Sequence, residues 1–167
     1  NQAICPNKTT TLSASGSGIL GWYTAASGGT YLGSGTTLST PTLTSNTTYY
    51  VQDSTCGAGP RTAITVTINN VPVLDITTSL VVDSASCGAT SSDGSITGAT
   101  VISGTPGYTY TWSNGLGAGA SKTVSPLATT TYTVTISDSN GCTASTSVTV
   151  TVNPRPTVTA SASPSTI

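Results

Sequence analysis

Apolar and hydroxyl residues alternate most strictly over residues 131–152. Tyr132, Val134 and Ile136 interleave with Thr131, Thr133 and Thr135, and Val148, Val150 and Val152 with Ser147, Thr149 and Thr151. An apolar face backed by a hydroxyl face at period two predicts two half-buried strands. Asn140-Gly141 lies between them and tolerates positive φ, so an antiparallel hairpin is expected. Shorter versions of the same alternation predict strands at residues 9–15, 19–24, 31–32, 36–38, 47–52 and 62–68. Further strands are expected at 75–83, 95–102, 108–112 and 121–124, and a last one opens at 157. Gly16 and Gly18, Gly28-Gly29, Gly104 to Gly107 and Asn114-Gly115 supply turns between them. No window carries an apolar period of 3.6 residues, so the chain reads as all-β.

Short strands with turn signals every 8–12 residues predict β-sandwiches of the immunoglobulin-like kind. Trp22 and Trp112 each fall on an early central strand and are expected in the core. The chain also repeats itself. Thr47-Thr48-Tyr49-Tyr50-Val51 superposes on Thr130-Thr131-Tyr132-Thr133-Val134 at a shift of 83, and Pro72-Val73-Leu74 corresponds to Pro156-Thr157-Val158. A fixed period outranks local readings because it sets the architecture. Three segments follow: a sandwich at 1–70, expected to lack its first strand, a second at 71–153, and 154–167 as linker and strand. The strand Thr157-Val158-Thr159-Ala160-Ser161-Ala162-Ser163-Pro164-Ser165-Thr166-Ile167 reads as the opening of a third module or as a strand donated to a neighbour. An open edge at one end and an orphan strand at the other favour head-to-tail assembly, with copies of the chain or neighbouring modules as partners.

Composition narrows the function. His, Glu, Met and Phe are absent, and the net charge is −1. Nucleic acid and acidic membrane surfaces are therefore not expected partners. No stretch approaches the roughly 20 apolar residues of a membrane span. There is no signal peptide, and the first residue is unlike a native start, so a mature or excised segment is expected. Without His or Glu a Ser or Cys nucleophile lacks its usual base, and no enzyme is expected. No cofactor or metal is expected either. Cys5, Cys56, Cys87 and Cys142 form no C-x-x-C pair, which argues for disulfides in an oxidising, extracellular setting. Three pairings are possible, and the internal repeat selects Cys5–Cys56 and Cys87–Cys142, one per domain. Each closure would be worth roughly 4 kcal/mol on the chain-entropy model.

Two resemblances add to this. Cys87, Asp93-Gly94-Ser95-Ile96, Gly104-Thr105-Pro106-Gly107-Tyr108, Trp112-Ser113-Asn114-Gly115 and Asp138-Ser139-Asn140-Gly141-Cys142 make the second module similar to the SprB-type repeat of Bacteroidetes-like surface adhesins. It departs from that repeat in the Ala-Thr-Ser-Ser run after Cys87. Cys5, Gly21-Trp22-Tyr23 and Thr48-Tyr49-Tyr50-Val51 resemble the Ig-like repeat found beside it in large secreted proteins. The resemblance implies giant cell-surface or secreted proteins, type IX secretion and no catalytic residues. It also implies O-glycosylation at Asp followed by Ser or Thr, which Ser54 and Ser84 fit.

The expected function is a structural repeat segment of an extracellular filament or adhesin stalk, contacting a surface glycan or a host or abiotic surface. The alternative is a carbohydrate-binding module in which Tyr23, Tyr31 or Tyr50 stacks on sugar rings; a row of coplanar exposed aromatics would support it. Ice binding through Thr65-Val66-Thr67 and Thr149-Val150-Thr151 would need a flat lattice of Thr, whereas sandwiches twist. Calcium at Asp138-Ser139-Asn140 or Ser92-Asp93 would lack the several carboxylates of a good cage, and an Asx turn fits better.

Overall fold

A computed structural model describes the chain apart from residues 56–58, 76–80, 84–93, 98–99, 154–156 and 162–167. The described residues are all-β and form sandwiches. They divide into two compact units. Unit 1 is Asn1–Val73 with Val101–Tyr108 and Ile136–Ala144, and unit 2 is Leu74–Thr100, Thr109–Thr135 and Ser145–Ile167.

Most of unit 1 comes from seven strands: β1 (Gln2–Ile4), β2 (Thr11–Ser13), β3 (Leu20–Tyr23), β4 (Tyr31–Ser34), β5 (Thr37–Ser39), β6 (Thr47–Asp53) and β7 (Thr62–Ile68). One sheet runs β1-β7-β6-β3-β4 and the other is the pair β2-β5. Alternation does what the sequence promised: Leu20 and Trp22 on β3, and Tyr49 and Val51 on β6, face inward. They meet Leu12, Leu43 and Val66 in one core, with Ile4, Leu38 and Ile64 packed around it. Trp22 is fully buried, and its indole N–H donates to the carbonyl of Gly35 at 2.9 Å. Burying the ring and still satisfying its one polar group is what makes Trp usable in a small core. The hydrophobic pattern did not mark β1. It joins β7 in parallel, Gln2 opposite Val66 and Ile4 opposite Ile68, and the Asn69 N–H donates to the Ile4 carbonyl.

The remaining strands are β8 (Val73–Asp75), β9 (Val81–Asp83), β10 (Gly94–Thr97), β11 (Thr100–Ser103), β12 (Thr109–Trp112), β13 (Gly117–Ala118), β14 (Lys122–Val124), β15 (Thr130–Ser137) and β16 (Thr143–Val150). They make sheets β14-β10-β9 and β13-β12-β15-β16, and β8 pairs with β11. Ile96 and Val124 from the first sheet, and Trp112, Tyr132, Val134, Val148 and Val150 from the second, are buried. Residues 95–102, expected as one strand, contribute to β10 and β11, which belong to different sheets.

Two threonines 83 residues apart make the same bond. Thr47 Oγ1 donates to the Ser45 carbonyl at 2.9 Å, and Thr130 Oγ1 to the Ala128 carbonyl at 2.7 Å. Trp112, like Trp22, gives its indole N–H to a glycine carbonyl, that of Gly119, at 2.8 Å. The β15–β16 turn is longer than a two-residue one. The Asp138 N–H donates to the Cys142 carbonyl and the Gly141 N–H to the Asp138 carbonyl, both at 3.0 Å. Gly141 has φ +76° while Asn140 stays at negative φ, so glycine alone takes the left-handed position in a three-residue loop.

The disulfide differs from expectation. Cys5 is bonded to Cys142, with Cα atoms 5.4 Å apart and a sequence separation of 137. Each sulfur makes one bond, so neither Cys5–Cys56 nor Cys87–Cys142 forms here. The repeat-based pairing assumed that equivalent cysteines close equivalent modules. The parallel seat of β1 on β7 instead carries Cys5 to the Asn140–Cys142 turn, where both belong to unit 1. Cys56 and Cys87 lie outside the described residues. On the chain-entropy model a closure of this length stabilises by about 5 kcal/mol. Residues 157–161 of the expected final strand lie in no strand, and Val158 is exposed; residues 162–167 lie outside the described part.

Candidate functional site

Three places among the described residues gather polar groups that engage the chain's own backbone. The first is Asp53, at the end of β6. Its Oδ2 accepts the N–H groups of Ser17 at 2.8 Å and Gly18 at 3.2 Å, and its Oδ1 accepts the N–H and the hydroxyl of Thr55. These bonds favour the ionised form, the Thr55 hydroxyl foremost, and hold the carboxyl at about 2. The loop is drawn tight over the charge: a Cβ on Gly18 would lie 2.5 Å from Asp53 Oδ1. Asp53 therefore fastens the loop leading into the Trp22 strand.

Asp138 does the same after β15. It is buried, and its Oδ2 accepts the Thr105 N–H at 3.1 Å. Its Oδ1 accepts the N–H groups of Asn140 at 3.0 Å and Cys142 at 2.8 Å. The Thr105 bond, and then those from Cys142 and Asn140, hold its carboxyl below the usual range against the opposing effect of desolvation. Asn140 Nδ2 donates to Thr105 Oγ1 at 2.7 Å, tying the two loops together. The Asn140 bond is the Asx turn that the sequence suggested. A buried carboxylate already accepting three backbone N–H groups is a structural staple, and no cluster of three or more metal-binding side chains exists among the described residues. Ser92-Asp93 lies outside them.

The third place is the outer face of the β4-β3-β6 sheet. Tyr23 lies opposite Tyr31 on one side and Tyr50 on the other. The rings of Tyr23 and Tyr31 are 5.4 Å apart and tilted by 57°, so they form no coplanar platform. The guanidinium of Arg61 stacks on Tyr23, 3.4 Å from the ring centroid. Arg61 also donates to the carbonyls of Ala25 and Gly28, both at 2.6 Å, and so pins the β3–β4 loop. Gly21 leaves room for this arrangement: a Cβ there would sit 3.2 Å from the Tyr23 ring. On the same unit an apolar cleft of about 350 Å³ is lined by Leu32, Leu38, Pro41 and Tyr49.

The threonine rows are paired with one another. Across β15 and β16, Thr131 meets Thr149 at 3.0 Å, Thr133 meets Ser147 at 2.9 Å and Thr135 meets Ser145 at 2.9 Å, oxygen to oxygen. Thr48 and Thr65 do the same at 3.0 Å across β6 and β7. These cross-strand bonds occupy Thr65 and Thr149 of the proposed ice-facing rows. Ser54 is exposed, and its hydroxyl donates to the Ile19 carbonyl at 2.9 Å; Ser84 lies outside the described residues. Sequence reasoning missed Arg61 and Asp53 as loop anchors, because their partners are carbonyls and N–H groups that no residue name reveals.

No curated protein sequence matches the chain. Among solved structures, the fibronectin(III)-like modules of Clostridium thermocellum CbhA align over 92% of this chain and 90% of theirs, at 14% identity and a TM-score of 0.39. The complex of Dpr11 IG1 with DIP-gamma IG+IG2 aligns over 91% and 94%, at 18% identity and a TM-score of 0.37. The amphioxus IgVJ-C2 molecule aligns over 89% and 99%, at 16% identity and a TM-score of 0.34. Residues 1–70 match the family model of the Ig-like domain, CHU_C associated.

Proposed function

We propose that this chain is a structural repeat segment of an extracellular filament or cell-surface adhesin stalk of bacterial origin, with no catalytic role. The observation that carries the reading is how the polar groups are used. Asp53, Asp138 and Arg61 each hold a loop of the chain's own backbone, and the strand hydroxyls pair with each other. A surface built this way serves shape and rigidity. The Ig-like match over residues 1–70, the repeated Trp-centred bonding and the disulfide support the same view. Disulfides persist in oxidising compartments, which fits a secreted position. No helix of the described residues is long and apolar enough to cross a membrane. Export by type IX secretion follows from the resemblance of the second module to SprB-type repeats.

Assembly is head-to-tail, through a continuous chain or by donation of residues 157–167. The test is cryo-electron microscopy of native material from the source cells. Density running on past Ile167 into another sandwich gives a covalent stalk, and a strand seated in another subunit's sheet gives a strand-donated polymer. Material found only inside the cell, or only as dispersed single chains, overturns the proposal.

A further inference from the structure

We propose that the Cys5–Cys142 bond acts as a tension bypass: a load applied along the chain passes through the disulfide and leaves residues 6–141 unloaded. The argument needs only the positions of the two cysteines. Tension entering N-terminal to Cys5 and leaving C-terminal to Cys142 has two routes between them, one a single covalent bridge and the other the intervening chain, a sequence separation of 137. The short route is taut and the long one slack. Everything from β2 to β15 lies on the slack route, including both tryptophans and the anchors Asp53, Asp138 and Arg61. Cys56 and Cys87 also fall between 5 and 142 in sequence, so a bond between them would leave the loaded route unchanged.

Among the described residues, two strands remain on the loaded route. β1 precedes Cys5 and β16 begins immediately after Cys142. Each is the terminal strand of its sheet, in the orders β1-β7-β6-β3-β4 and β13-β12-β15-β16. An edge strand has one ladder to lose, so it can peel without opening the sheet behind it. Under load β1 and β16 therefore peel, and each peel stops at a cysteine. For a stalk this means a small, recoverable extension followed by a covalent stop. That use rests on the stalk reading above, whereas the bypass itself belongs to the isolated chain.

The experiment is single-molecule stretching of the purified, oxidised chain between handles at its two ends, before and after a dithiol is added. Thiolate attack on a sulfur of Cys5–Cys142 gives a mixed disulfide, and the second thiol of the reagent then releases both cysteines as thiols. Cys5 is half-buried and gives the reagent access. In the oxidised state the unfolding steps should total no more than about 100 Å, the reach of the residues outside the bridge. After reduction, in the wild type or in the C5S/C142S variant, a further length of about 480 Å should appear, at ~3.5 Å for each bridged residue. Fully extended length is read whether or not the variant folds. Oxidised molecules that release the long increment at ordinary unfolding force overturn the bypass. An intact bypass in a protein that imaging places inside the cell would leave the bypass standing and remove the stalk.

Discussion

Replacing Trp22 with Phe separates two contributions that the core of unit 1 combines. The side chain is fully buried and gives its N–H to the Gly35 carbonyl. Phe keeps one ring in place but leaves a void of roughly 40 Å³, worth about 1 kcal/mol at about 24 cal/mol per Å³. It also deprives the Gly35 carbonyl of its donor. Gly35 is exposed, so water can partly replace the bond, which sets the cost near the low end of the range, about 1 kcal/mol. The total expected for W22F is about 2 kcal/mol, against ~3–5 kcal/mol for W22A. For a unit of this size that is a fall in Tm of about 8–16 °C. Circular dichroism during urea and thermal unfolding measures it. Because the chain has two tryptophans, fluorescence of the W22F variant reports Trp112 alone and shows whether unit 2 is disturbed. W112F should behave in the same way for unit 2, since its indole bond to Gly119 is equivalent. A W22F protein within 0.5 kcal/mol of wild type on the scale of ordinary surface changes, or one as unstable as W22A, would refute the assignment of a bonded core tryptophan.

Acid should weaken the fold in a defined window. The folded carboxyl of Asp53 lies at about 2 against an ordinary 3.8, so its contribution is intact above about pH 4 and is lost as pH falls towards 2. Asp138 acts in the same direction. D53N should flatten that acid limb while leaving stability at pH 7 to pH 9 parallel to wild type, and an unchanged limb counts against the staple. Gly104 has φ +91°, and a Cβ there would lie 2.9 Å from Pro72 Cα. G104A should therefore cost at least ~1–3 kcal/mol, and an unchanged melting temperature contradicts the close approach. T133V keeps the strand preference and removes the hydroxyl that meets Ser147. It should lose ~0.2–1 kcal/mol, with most of the loss absent when Ser147 is already Ala.

Most strands were legible because the chain pairs apolar and hydroxyl residues at strict period two. Tyr132, Val134 and Ile136 could face only one way, and all are buried. Trp22 and Trp112 were legible as core for a similar reason. What failed to show was anything that depends on the path of the chain. Gln2-Ala3-Ile4 is too short to display a period, and it becomes a strand because β7 offers it an edge. The cysteine partner of Cys5 could not be read from spacing, since the sulfur meets whichever turn the fold brings beside the end of β1. Nothing in the sequence marks Arg61 as an anchor, because the carbonyls of Ala25 and Gly28 reach it only through the fold. The aspartates were half legible: the turn bonds of Asp138 follow from local sequence, while its bond to Thr105 crosses 33 residues.

The way charge is housed has a consequence for the medium the protein can tolerate. Asp53 and Asp138 are held by N–H dipoles, and Arg61 by carbonyl dipoles and a ring. Among the described residues, none of these three uses an opposite charge in its bonds. Dissolved ions weaken attractions between separated charges over a Debye length of about 10 Å at 0.1 M salt. They have little purchase on a hydrogen bond of 3 Å between a charge and a peptide group. Nor do they act on hydroxyl pairs such as Thr131 with Thr149. With no histidine or glutamate in the chain, neutral pH offers no side chain of either kind to titrate. These three anchors are thus built to be indifferent to salinity and to buffering around neutrality, holding their loops in brine and in dilute water alike.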